Sequence, residues 1–249
     1  VYANGVDHEF DHLRVTEDVT HSFYKGTGSL HPWEGVTDPD RPGRRAKQGK
    51  YTWAKSPRYD VPGQGHVPLE TGPLARQMVA GNPERATAPG LRPAVPRHVQ
   101  QDRAERLPAH LRPLHEAPKY YEMDPPWLDQ LDLHDRFYIK PVERESGKGF
   151  GSTEAARGAL SDWIVIEDGK IANYQVITPT AWNIGPKDGK EANGPMEQAF
   201  VGAPVEDLHD PIELGHVARS FDSCIVCTVH AYDGKTGKET AQFKVNGML

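Results

Sequence analysis

Two thiols and an imidazole close the most chemically suggestive segment of the chain, Ser220-Phe221-Asp222-Ser223-Cys224-Ile225-Val226-Cys227-Thr228-Val229-His230. A Cys-x-x-Cys pair serves three chemistries: half of a zinc site, a thiol–disulfide couple, or two thiolates on a transition metal. The redox couple calls for a thioredoxin-like βαβ context, which the flanking sequence lacks. A structural zinc site calls for four ligands, and Cys224 and Cys227 are the only two cysteines. If the segment is helical, a step of three residues turns it by roughly 300°, so the two sulfurs lie about 60° apart and can share a metal. On the same geometry His230 sits about 120° from Cys224, which suits a second ion or a structural bond better than the same metal.

The rest of the chain must position these groups. It has 249 residues, one large domain or two small ones. With 29 Lys+Arg against 35 Asp+Glu the net charge is −6, which argues against nucleic-acid binding and polybasic membrane attachment. Hydrophobic residues make up 37%, and the 24 glycines bring the chain to the composition of a domain with a core. No apolar run approaches the ~20 residues of a membrane span. The closely spaced cysteines are typical of a reduced compartment.

Local signals divide the chain. Tyr24 to Gly28 reads as a turn, Tyr51-Thr52-Trp53 as a short strand, and Pro73 to Ala80 as a helix with proline in its first turn. Residues 82–118 hold seven prolines and six arginines, too many prolines for one long helix, and read as an atypical Pro/Arg-rich loop or linker. Trp127 to Leu133 suits a helix, and Gly147, Gly149 and Gly151 mark a flexible turn. Trp163–Ile166, Asp168-Gly169 and Ile171–Ile177 read as strand, turn, strand. Pro195 to Val201 and Pro211 to Phe221 read as helices, the second delivering the chain to the cysteines. These patterns alone give mixed α and β.

The motif Asp222-x-Cys224-x-x-Cys227-x-x-His230 resembles the nickel-binding motif of the large subunit of nickel–iron hydrogenases, with Ser223 where the family usually has Pro. Its Ser form, followed by Cys-Thr-Val-His, is similar to the cytoplasmic uptake branch. Glu154-Ala155-Ala156-Arg157-Gly158 resembles the family's Glu-Ala-Pro-Arg-Gly segment, and Asn173-Tyr174-Gln175 with Thr178-Pro179-Thr180-Ala181-Trp182-Asn183 resembles the segment lining the iron. Tyr51 to Asp60 and Gly72-Pro73-Leu74-Ala75-Arg76 also fit, in the family's order. Only 82–118 does not.

The resemblance implies a predominantly helical α+β fold with a β-hairpin near the metal site. It implies a nickel–iron centre with two cyanides and one carbon monoxide on iron. Cys224 would be terminal on nickel and Cys227 would bridge nickel and iron. His230 and the backbone carbonyl of Val176 would hold Mg2+ (or Fe2+). Arg157 would overhang the open metal position, acting through charge and position because Arg resists deprotonation. Asp222 would pair with Arg157, and the Thr180 hydroxyl would bond an iron cyanide. Glu154 and Gln175 are supporting candidates, while Arg58 and Arg76 are either structural or turned toward a partner.

The family uses four cysteine thiolates, two of them from an N-terminal Arg-x-Cys-Gly-x-Cys motif that is not in this sequence. The expectation is therefore part of a hydrogenase catalytic subunit that oxidises dihydrogen, inactive alone. Residues 1–230 would be its C-terminal portion and 231–249 a maturation extension cut off directly after His230. The implied partners are an iron–sulfur small subunit, a maturation endopeptidase, nickel- and iron-insertion chaperones and dihydrogen, with no nucleic acid. The implied place is cytoplasmic, with a peripheral position on the membrane left open. The rivals are a non-enzymatic metal-binding or assembly module and a degenerate relative of the family.

Overall fold

The computed structural model describes residues 1–3, 6–40, 49–79, 116–118, 120–140, 142–207, 209–223, 227–232 and 239–245, with the backbone alone for 2–3, 6–7, 77–78, 227–232 and 239–245. Most of the 82–118 segment therefore lies outside the described residues, as does Cys224.

Two antiparallel sheets organise the rest. The first has four strands in the order β4 (Ser29–Leu30), β3 (Val15–Asp18), β5 (Ser56–Val61) and β6 (Gly65–Val67). The second is a meander of β7 (Gly147–Ala155), β8 (Gly158–Glu167) and β9 (Lys170–Ile177). Short hairpins join β1 (Tyr2–Ala3) to β2 (Val6–Asp7) and β10 (Cys227–Tyr232) to β11 (Glu239–Val245). The helices are α1 (Pro73–Val79), α2 over 120–129, α3 (Pro179–Ile184), α4 (Pro195–Phe200) and α5 (Ile212–Ser220). No helix among the described residues is long and apolar enough to cross a membrane.

The core lies between the sheets. Val15, Tyr59 and Val61 from the first sheet meet Trp163 and Ile177 from the second and Trp182 from α3. Trp33 and Phe150 pack against this cluster. β5 is buried along most of its length. Pro57 is tolerated there because β6 pairs only from Tyr59 onward, leaving that flank of the proline free of a ladder bond.

Arg58 is the most deeply buried charge of the first sheet. Its guanidinium meets Asp188 at 3.0 Å and donates to the carbonyls of Pro57, Pro186 and Ala192. It is structural within this chain, tying β5 to the loop after α3. Burial would push the Asp188 carboxyl up, but the hydrogen bonds from Arg58 and from the Ala192 and Lys190 amides hold it below the usual carboxylate range. That contribution to stability is present above the unfolded carboxylate range and is lost as pH falls through the depressed folded value. Arg58→Met strands the Asp188 charge in the interior and is expected to cost about 3–5 kcal/mol, read as a lowered urea midpoint at pH 7.

Several local expectations hold. The Asp168-Gly169 turn has φ of 52° and 69°, the mirror-image turn that matches strand twist, and joins β8 to β9 with Glu167 opposite Lys170. The helices entered at Pro73, Pro195 and Pro211 are present.

Others are corrected. The described residues carry more strand than helix, so helical predominance is not what they show; α3 and α4 have six residues each. Gly147, Gly149 and Gly151 form strand β7 rather than a turn, because β8 supplies a continuous ladder from Gly147↔Ile166 to Ala155↔Gly158. A Cβ at Gly149 would sit 3.0 Å from Ile164 Cγ2, so glycine lets the strands lie close. Thr52 makes only an isolated bridge to Ser22, not a strand. The helix expected over 127–133 runs instead over 120–129. The segment Cys227–His230 is strand, not helix, so the helical sulfur geometry does not apply to it. Its partner comes from the tail: β11 pairs with β10, His230 opposite Gln242 and Cys227 opposite Val245.

Candidate metal centre

Three sequence segments far apart in the chain converge on one turn. β7 ends at Ala155 and β8 begins at Gly158, leaving Ala156-Arg157 as the two-residue link. Gly158 has φ +130°, and a Cβ there would lie 2.7 Å from the Gly72 amide nitrogen and 2.8 Å from Thr71 Cβ. From the other side, Gly72 has φ +131° and would place a Cβ 3.2 Å from the Arg157 carbonyl oxygen. The two backbones touch, and glycine is needed on both sides of the contact. Gly158→Ala is expected to cost about 1–3 kcal/mol of backbone strain plus about 1–3 kcal/mol of overpacking. Chemical denaturation of the purified chain measures it.

The third segment is α3. Asn183 accepts from the Thr71 amide at 2.9 Å and donates to its carbonyl at 3.0 Å. The Thr71 hydroxyl donates to the Pro179 carbonyl at 3.4 Å. Thr178 caps the helix by accepting from the Ala181 amide. Thr180 is buried in the first turn of this helix. The segments around 71, 157 and 180 are thus one unit.

Arg157 Nε lies 3.1 Å from Asp222 Oδ2, with both side chains partly exposed. The Nε is shielded from solvent but makes no aligned hydrogen bond among the described residues. Asp222 ends α5. The Phe221 amide donates to the Ala218 and Arg219 carbonyls, and Asp222 then adopts φ +46°, a left-handed conformation that aspartate tolerates better than most residues. The next residue, Ser223, is buried. The expected Arg157–Asp222 pair is therefore formed at the threshold of the cysteine motif.

The remaining candidates are placed as follows. Val176 lies on β9, the edge of its sheet, opposite Asp162. Cys227 and His230 lie on β10. Gln175 is buried; it donates to the Gly35 carbonyl and accepts from Lys55 at 2.8 Å and Thr37 at 3.2 Å. Asn173 donates to the carbonyls of Pro32, Trp33 and Gly35. The two amides hold the 32–37 loop against β9. Glu154 receives a hydrogen bond from Arg76.

Sequence reasoning missed a buried ion pair beside Gln175. Lys55 Nζ lies 3.4 Å from Glu17 Oε2. Burial pushes the Glu17 carboxyl up, against the opposing pull of Lys55. Glu17 gave no signal because its strand, β3, has no motif of its own. Among the described residues no group of three or more His, Cys, Asp or Glu side chains is placed to hold a metal. The two cysteines of the sequence, the ligand type that suits a soft metal, are Cys224 and Cys227.

The sequence profile of the family described as nickel-dependent hydrogenase matches residues 4–105 and 127–230. The chain is 34% identical to the periplasmic [NiFeSe] hydrogenase large subunit of Desulfomicrobium baculatum, over 96% of this chain and 46% of that protein. It is 34% identical to the uptake hydrogenase large subunit of Bradyrhizobium diazoefficiens, over 93% of this chain and 42% of that protein. The crystal structure of a reduced, active form of the Ni-Fe-Se hydrogenase from Desulfomicrobium baculatum superposes with a TM-score of 0.71 at 34% identity, covering 90% of this chain and 46% of that one. The chain thus spans about half the length of the curated relatives it matches. With the Arg157 turn, the α3 segment and the Asp222–His230 segment all inside the matched residues, this chain belongs to the nickel-dependent hydrogenase family.

Proposed function

We propose that this chain forms the cysteine-bearing C-terminal part of a hydrogenase large subunit, whose complete form oxidises dihydrogen reversibly by heterolytic cleavage at a nickel–iron centre. The observation that carries the reading is the Arg157–Asp222 pair, held at the entry to the Cys-x-x-Cys segment in a chain of this family.

The donor set fits one side of such a centre. Two thiolates suit nickel and iron, and they are half of the four the reading requires. Cys224 would be the terminal ligand of nickel and Cys227 the bridge to iron. The second pair would come from the remainder of the subunit. His230 and the Val176 carbonyl would hold Mg2+ (or Fe2+), and the Thr180 hydroxyl would bond a cyanide of an iron that carries two cyanides and one carbon monoxide. When bound, the centre supplies the electron-rich site at which dihydrogen is polarised and split. The chain's own residues set its surroundings. Arg157 presents a permanent positive charge whose place is fixed by its turn, and Asp222 balances and orients it. The buried α3 and the inward-facing Gln175 and Ile177 of β9 keep water from the interior side.

The other partners follow the same reading. With two cysteines in this sequence, electrons leave through an iron–sulfur small subunit. Insertion chaperones load the metals, and an endopeptidase cuts after His230, where the family match also ends. A reduced thiol pair suits a cytoplasmic place, whereas one relative is named periplasmic; fractionation of cells carrying the tagged subunit decides.

The test is metal analysis of the chain assembled with the remainder of the subunit and the small subunit. Stoichiometric nickel and iron, infrared bands of cyanide and carbon monoxide, and hydrogen-dependent dye reduction are expected. Zinc alone, or nickel without those bands, would mark a metal-handling module instead.

A further inference from the structure

Arg76 is the residue that grips the Arg157 turn. Its Nε and Nη2 meet the two oxygens of Glu116 at 3.1 and 2.6 Å. Its Nη1 donates to Glu154 Oε2 and to the Ala155 carbonyl, each at 3.0 Å, and its Nη2 donates to the Ala156 carbonyl at 3.0 Å. The five contacts use the donor capacity of a guanidinium. Arg76 and Glu116 are largely buried, whereas Glu154 is half exposed. Burial alone would lower the Arg76 pKa, but the hydrogen bonds to Glu116 and Glu154 hold it above its ordinary value, so the group stays charged.

The two carbonyls are consecutive and belong to the residues immediately before Arg157. The opposite side of the same turn is the Gly72–Gly158 contact, and Gly72 directly precedes α1, the helix that carries Arg76. The turn is therefore held from both sides by one short stretch, 71–76, while Arg157 is left to reach Asp222. A bare ion pair does not need two consecutive carbonyls. A device that fixes where a backbone turn points does. Glu116 belongs to the same device: a two-oxygen partner prevents the Arg76 fork from rotating away from the carbonyls.

We infer that Arg76, locked by Glu116, is the positioning residue of the Arg157 turn, setting the pose of the Arg157–Asp222 pair without touching it. That this pose matters to hydrogen chemistry rests on the function proposed above. The inference also gives the far end of the Pro/Arg-rich segment a task, since Glu116 anchors that end beside the turn.

Two measurements test it. In the metal-free full chain, hydrogen exchange of the peptide spanning 154–160 should quicken about tenfold in Arg76→Lys and in Glu116→Gln, while the β3–β5 ladder keeps its protection. Lysine has one nitrogen and cannot reproduce the fork. If Arg76→Lys loses protection in β3–β5 as well, it has unfolded, and Glu116→Gln, which keeps shape and loses charge, decides. In the assembled enzyme, Arg76→Lys should lower kcat about tenfold with KM for dihydrogen within about twofold. It should have no further effect once Arg157 is already Lys. Unchanged exchange at 154–160 overturns the inference. So does an Arg76→Lys effect on kcat that simply multiplies with that of Arg157→Lys. The exchange experiment involves no metal. A wild-type complex without nickel or hydrogen turnover would refute the proposed function and leave the exchange result to decide the positioning.

Discussion

Cys227→Ser in the complete subunit is expected to abolish dihydrogen oxidation, with iron and nickel no longer retained together. A bridging ligand must offer two electron pairs to two soft metals at once, and a thiolate does so readily. A serine hydroxyl at neutral pH is protonated and hard, and suits neither. Cys227 opens β10, whose pairing with Val245 is a backbone matter, and serine is nearly isosteric. The variant should therefore be as soluble and as protected in its sheets as the parent. Hydrogen-dependent dye reduction and metal content measured on the same preparation check this. Turnover that survives would refute the bridging role of Cys227, while lost turnover with both metals retained would point to a tuning role.

The second large effect belongs to Arg157. Arg157→Lys keeps the charge and discards the planar fork. The lysine nitrogen sits on a flexible stem and holds a different place relative to Asp222. Removing one preorganised donor from a transition-state site typically costs about 10²–10³ in kcat, and a similar loss is expected here with KM for dihydrogen little changed. Metal content should not change, because Arg157 lies at the turn between β7 and β8 and not among the thiolates. A loss of nickel together with activity would instead make Arg157 part of what holds the centre. The partial exposure of the pair fits this division of labour. As a contribution to stability such a pair is worth little, so its close placement at the cysteine segment calls for another purpose.

How much of this was readable in the chain depends on the range of each interaction. The β8–β9 hairpin was fully legible, because Asp168 and Gly169 carry the turn in their own backbone preferences. The prolines at 73, 195 and 211 announced their helices for the same local reason. The three glycines of β7 read locally as a turn, whereas what makes them a strand is the neighbouring β8 and the close approach at Ile164. The sequence leaves the Cys227–His230 segment open, with helical geometry only as a condition, because its strand partner lies beyond the motif in the tail. The Arg157–Asp222 pair was named in advance, but only through resemblance; nothing in either residue's local context announces the other. Arg76 was noticed without a role, and Glu116 went unnoticed inside a proline-rich stretch. Their bond closes a loop whose length no local propensity can encode.

The β10–β11 hairpin bears on the cut proposed above after His230. The peptide bond after His230 lies inside a paired ladder, with Gln242 opposite His230 and Ala241 opposite Ala231. A peptidase cannot work on a strand whose hydrogen-bonding groups are already engaged, so it acts on the opened fraction, and its rate follows the opening equilibrium. A two-stranded hairpin by itself is only marginally stable in water. Here α5, whose last residue Ser220 stands two before Asp222, lies beside β11. If the proposed cut after His230 takes place, whatever loosens α5 is therefore expected to hasten it, so the hairpin would tie the timing of the cut to the helix that leads to Asp222.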